Sequence, residues 1–117
     1  MTVVRFLLER PSAIKPKKVQ REMVERRYIV YAPMDAVIKG MDEKEYPLGF
    51  SLRIPAGYRG TFRANTNWLV AENIWMSELH LLSTDTDELK ITIRNLKISD
   101  KLIVRKRILG ILHVYRL

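Results

Sequence analysis

Apolar and polar positions alternate along much of this chain in runs too short for helices. In Leu89-Lys90-Ile91-Thr92-Ile93 the period is two, which predicts a strand with one face in a core and the other in water. Val3-Val4-Arg5-Phe6-Leu7-Leu8 and Tyr28-Ile29-Val30-Tyr31 have the same β-branched and aromatic content, and Ala36 to Ile38, Gly49 to Ile54, Thr61 to Arg63, Glu78 to Leu82 and Ile108 to Tyr115 are further strand candidates. Turn chemistry separates them at Arg10-Pro11-Ser12, Lys39-Gly40, Pro55-Ala56-Gly57, Asn65-Thr66-Asn67 and Ser99-Asp100-Lys101. Many short strands at this spacing predict an all-β fold, a small barrel or distorted jelly-roll sandwich, formed by residues 1–117 as one domain. Val19 to Arg27 departs from the pattern: it is rich in helix formers but has no wide apolar stripe, and reads as a short helix or as a mobile basic loop.

Composition narrows the function classes. Hydrophobic residues are 47% and charged residues 29% of the 117, enough apolar content for a folded core. The lack of cysteine excludes disulfides, thiolate metal sites and a cysteine nucleophile. No apolar run spans a bilayer, and Arg5 and Glu9 interrupt what would be a signal core, which argues for an intracellular protein. The net charge of +8 favours anionic partners, nucleic acid or an acidic membrane surface. The basic residues fall in two clusters, Lys15, Lys17, Lys18, Arg21, Arg26 and Arg27, then Lys101, Arg105, Lys106 and Arg107; the plain reading of both is solvated surface. His80 and His113, each within an apolar run, read as structural.

Ile54-Pro55-Ala56-Gly57-Tyr58-Arg59-Gly60 resembles the Pro-x-Gly-Tyr-x-Gly hairpin of the trimeric deoxyuridine triphosphatases (dUTPases). Val4 to Pro16 is similar to the first strand of that family, Asp87 to Asn95 to its Gly-Glu-Val-x-Val-x-Leu-x-Asn strand, and Arg107 to Leu112 to its Arg-Ile-Ala-Gln-Leu-Ile strand. Together these pieces cover nearly the whole chain in order.

The family's hydrolysis needs a triphosphate held with Mg²⁺, a carboxylate that activates water, and a glycine-rich arm. In this register Ile29 stands at the first motif's aspartate, Asn65 at the phosphate-binding arginine with only the Thr66 hydroxyl kept, Leu82 at the water-activating aspartate and Asp85 at the sugar-stacking tyrosine. Asp85 and Asp87 are out of register by about three residues and read as loop residues. The resemblance so read implies a chain that is not an enzyme and takes no cofactor or metal.

Tyr28 to Ile38 and Thr84 to Leu89 resemble more closely an inactive branch of the fold, the adenoviral proteins of the first open reading frame of early region 4. That likeness implies a homotrimeric viral adapter in the host cytoplasm, at membranes or in the nucleus, which binds host signalling proteins: PDZ-domain proteins through its C-terminus and the phosphoinositide 3-kinase pathway through its body. Val114-Tyr115-Arg116-Leu117 lacks the serine or threonine of the usual PDZ ligand, but Tyr115 and Leu117, flanking Arg116, suit a groove that takes apolar-x-apolar ends; alternatively they finish the last strand. For the body, the expected surface combines Asn65, Thr66 and Trp68 with Trp75, and each tryptophan is equally readable as core. A basic module for nucleic acid or phosphoinositide, and an active dUTPase, are the competing classes.

Overall fold

Strand formation follows the alternation wherever the alternation is clean. The computed structural model describes residues 4–21 and 25–117. Lys90–Asn95 (β10) buries Ile91, Ile93 and Asn95 and leaves Lys90 and Arg94 in water. It pairs antiparallel with Glu43–Pro47 (β5) on one side and Ile74–Met76 (β8) on the other. Ile108–Arg116 (β12) is the centre of a five-stranded antiparallel sheet in the order Lys17–Arg21 (β2), Glu25–Tyr31 (β3), β12, Tyr58–Ala64 (β7), Leu79–Leu81 (β9). Two pairs complete the β architecture: Arg5–Leu8 (β1) with Phe50–Arg53 (β6), and Ala36–Ile38 (β4) with Lys101–Ile103 (β11). The one helix among the described residues is a single turn, Asn67–Val70 (α1). Among the described residues no helix is long and apolar enough to cross a membrane.

The all-β expectation therefore holds, with one correction. Val19 to Arg27 is neither helix nor loop where it is described: Lys17–Arg21 and Glu25–Tyr31 pair as antiparallel strands, with Lys18 opposite Tyr28 and a register shift before Gln20. Residues 22–24, also within that stretch, lie outside the described residues. Without an apolar stripe a helix here would have had nothing to bury, whereas as a strand β3 can pair with β12 while Tyr28 and Val30 turn inward.

The inner face of the five-stranded sheet supplies Tyr28, Val30, Phe62, Leu112 and Val114 to the core, which Tyr46, Phe50, Leu52, Ile91 and Ile93 close from the other strands. Each such side chain contributes about 1.5–3 kcal/mol on leaving water. Phe6 packs edge-on against Tyr28 and Phe50, with ring centroids 4.9 and 5.5 Å apart. Polar groups in this interior are paired. The Tyr46 hydroxyl donates to the Met34 carbonyl at 2.6 Å, and burial holds its pKa above the ordinary value. Asn95 Nδ2 donates to the Ile38 and Ser99 carbonyls, and its Oδ1 accepts from the Lys97 amide. The Pro55–Tyr58 turn forms as its chemistry predicts: Tyr58 N donates to Pro55 O at 3.2 Å and Gly57 takes φ +85°.

Candidate functional site

At the end of β7 the chain leaves the sheet, makes one helical turn and returns as β8. Asn65 organises the exit. Its amide donates to the Leu109 carbonyl at 2.9 Å, and its side-chain Oδ1 accepts from the Asn67 amide at 3.0 Å, an Asx turn that leads into α1. A four-residue helix has one inward direction, and Trp68 takes it. Its ring is buried, its Nε1 donates to the Ile108 carbonyl at 3.1 Å, and the Arg107 guanidinium lies over its face. Leu69 and Val70 are left outside, 48% and 81% exposed. On β8, Ile74 and Met76 point inward and Trp75 outward, 40% exposed, with Arg94 5.5 Å from its ring centre.

Between these elements runs a groove of about 510 Å³, bounded by Arg63 and Glu78 and lined by Asn65, Thr66, Leu69 and Trp75, with Trp68, Ile74 and Met76 beneath. The four residues expected on the body surface thus meet in one place. Trp68 is corrected from a surface anchor to core: it supports the floor, and Trp75 is the exposed aromatic. Leu69 and Val70 escaped the sequence reading because an apolar run beside a tryptophan looks like core; the brevity of α1 turns them out.

The C-terminal residues are placed differently from the expectation of a free PDZ ligand. Tyr115 lies opposite Glu25 on β3 and Arg59 on β7, Arg116 lies opposite Tyr58, and the Leu117 amide donates to the Gly57 carbonyl at 2.9 Å. Adding a strand to a partner's sheet requires unpaired backbone, and this backbone is already paired within the sheet.

The basic residues do not form one patch. Lys101 and Arg107 turn to Glu72, whose two carboxylate oxygens accept from them; the hydrogen bond from Arg107, then that from Lys101, holds its pKa below the usual carboxylate range. Lys17, Lys18, Arg21, Arg26 and Arg27 sit along the β2–β3 hairpin. Lys15 joins Arg105 and Lys106 around a separate pocket.

Of the positions aligned with the hydrolytic motifs, Ile29 is half-buried on β3 and Leu82 is exposed just past β9. Asp85 closes a tight loop there: its Oδ2 accepts from the Leu82 amide at 2.7 Å while its own amide donates to the Leu82 carbonyl. Asp87 and Glu88 line the same small pocket as Asp85 and His80, a space of about 230 Å³. The His80 ring lies 3.6 Å from the Glu78 carboxylate, and His113 packs against Tyr115 with centroids 5.3 Å apart. Among the described residues no three His, Asp or Glu side chains come together in a group that could hold a metal ion.

Neither a family model nor a curated protein matches the sequence. Solved structures do match, and they define the fold as that of dUTPases. A point mutant of the dUTPase from phage 80alpha, described in terms of the link between enzymatic activity and SaPI-inducing capacity, superposes with a TM-score of 0.83 at 12% identity, covering 98% of this chain and 84% of its own. A mutant dUTPase from phage phi11 of S. aureus, described with a structural Mg(II) ion, superposes equally well and is covered over 91% of its length. The Staphylococcus bacteriophage 80alpha dUTPase, described as controlling transfer of virulence genes by a proto-oncogenic G protein-like mechanism, is covered over 90%.

These neighbours overturn the expectation that the chain is not an enzyme: the structures it resembles are those of enzymes. Ile29, Asn65 and Leu82 stand at the catalytic positions by register alone, and the folded loop ties Asp85 to Leu82 and lines one pocket with Asp85, Asp87 and Glu88, so carboxylates are not lacking in that region.

Proposed function

We propose that this dUTPase-fold chain is a protein-binding adapter whose working surface is the groove between Arg63 and Glu78. The observation that carries the reading is the exposure of Trp75 and Leu69 around one groove with a buried floor. Exposed aromatics over a packed base are what binding hot spots are made of. The likeness of Tyr28 to Ile38 and Thr84 to Leu89 to adenoviral early-region adapters supports host signalling proteins of the phosphoinositide 3-kinase pathway as the partners, in a homotrimeric viral protein of the host cell. The phage 80alpha dUTPase, whose description links enzymatic activity to an inducing capacity, supports the idea that this fold carries a signalling role. The body surface is favoured over the C-terminus because Tyr115, Arg116 and Leu117 are engaged in the sheet. Capture of the kinase from host lysate by the wild-type chain, and its loss in a folded Trp75→Ala variant, is the test.

A second reading, hydrolysis of a deoxynucleoside triphosphate, is favoured by the fold and by the pocket that Asp85, Asp87 and Glu88 share. On this reading a carboxylate of that loop activates the attacking water. Turnover of dUTP that disappears in Asp87→Asn supports it; turnover unaffected by Asp85→Asn and Asp87→Asn removes it.

A further inference from the structure

Two basic segments some ninety residues apart meet at one pocket of about 450 Å³, lined by Ala13, Ile14, Lys15, Tyr31, Arg105 and Lys106. Lys15 comes from the connection between β1 and β2, Arg105 and Lys106 from the turn between β11 and β12. The two segments are tied together. Arg105 Nη2 donates to the Ser12 carbonyl at 3.1 Å, and the Arg105 amide donates to Asp35 Oδ1 at 2.7 Å, which fixes the turn against the rest of the fold.

The backbone at Lys106 points the same way by independent means. Val104 to Arg107 is a reverse turn closed by Arg107 N on Val104 O at 3.2 Å, and Lys106, its third residue, has φ +78°. That position favours glycine or asparagine, because a Cβ crowds the backbone there. A lysine persists in such a conformation only where its surroundings over-determine it, as they do here: Lys106 N donates to Ala32 O at 2.8 Å and Ala32 N to Arg107 O at 2.7 Å. A lysine whose backbone is fixed beside two other cations, at a pocket also lined by Tyr31 and Ile14, suits a compact multivalent anion with an organic ring.

The geometry points to a binding site for a phosphorylated ring, of the inositol phosphate class, at the pocket formed by Lys15, Tyr31, Arg105 and Lys106. Phosphate oxygens meet the lysine ammonium groups, and the ring lies against Tyr31 and Ile14. The same chemistry is offered by a free inositol phosphate and by a phosphoinositide headgroup in a membrane.

Lys106→Gly makes the test clean, since it removes the charge and relieves the backbone strain together, so loss of binding cannot be put down to unfolding. Inositol trisphosphate is titrated calorimetrically into wild type, Lys106→Gly and Lys15→Gln, and the same three proteins are sedimented with phosphatidylcholine vesicles containing either phosphatidylinositol bisphosphate or phosphatidylserine. Wild type binds the phosphorylated ring saturably, and each variant weakens it by about tenfold at unchanged or higher melting temperature. Binding of the soluble probe alone identifies a free phosphate as the ligand; binding of the bisphosphate vesicles, with or without the soluble probe, identifies the headgroup. No saturable binding of either probe, equal binding to phosphatidylserine vesicles, or binding unchanged in both variants overturns the site.

Discussion

The Arg107 guanidinium carbon sits 3.9 Å from the centre of the Trp68 ring, so one cation both covers the buried floor of the groove and donates to Glu72. The floor, built from α1 and β8, is therefore held by Arg107, just before β12, and by Glu72 in the connection from α1 to β8, and its rigidity comes from non-local contacts.

The two tryptophans should consequently respond in opposite ways to truncation. Trp68→Ala leaves a cavity and orphans the Ile108 carbonyl, and it is expected to cost about 3–5 kcal/mol. Trp75→Ala, at a half-exposed site, should leave the melting temperature within a few degrees of wild type. Thermal denaturation of both variants checks the contrast.

Glu72 gives a pH dependence. Its folded pKa lies below the ordinary value of 4.5 because Arg107 and Lys101 stabilise the carboxylate, so it contributes stability above that value, lost as pH falls through the folded pKa. Glu72→Gln should lower the melting temperature at neutral pH and lose most of that deficit at pH values well below 4.5. A deficit independent of pH contradicts the ion-pair account.

Glycine substitutions separate crowding from strain. A Cβ at Gly110 would stand 2.1 Å from the Arg63 carbonyl oxygen, across the pair of central strands, so Gly110→Ala should destabilise by about 3 kcal/mol. Gly57→Ala meets nothing within 4 Å and suffers only from its positive φ, for about 1 kcal/mol. Denaturant titration of the two variants gives the order.

Assembly has its own test. Ile108 and Ile111 on β12 are 41% and 37% exposed, and Ile111 shares the outer face of the sheet with His113 and Tyr115. Isoleucines left exposed in the central strand of a sheet call for cover. We expect sedimentation to give the mass of three chains at micromolar concentration, and Ile111→Arg to shift it toward one.

How much of this was legible depended on whether the cause was local. Ile91 and Ile93 alternate with Lys90, Thr92 and Arg94, so β10 could be read directly, and Pro55 with Gly57 marks a turn whose chemistry lies within four residues. Glu43–Pro47 escaped because only Tyr46 of its five residues is fully buried and its pairing partner lies nearly fifty residues away. Lys101–Ile103 was hidden within a turn signal and a basic cluster. For the groove, sequence brought Asn65, Thr66 and Trp68 together by resemblance and added Trp75 as an aromatic, but could not tell an inward tryptophan from an outward one, since both have apolar neighbours. Convergence of Lys15 with Lys106 depends on tertiary contacts that no spacing reveals.

The groove is tested most directly by kinase capture from host lysate with three purified chains: wild type, Trp75→Ala and Leu69→Ser. Both replaced side chains are exposed, so the variants should melt close to wild type. The account predicts that phosphoinositide 3-kinase is retained by wild type and lost from both variants. Folded variants that retain the kinase as well as wild type does would contradict the assignment of this groove.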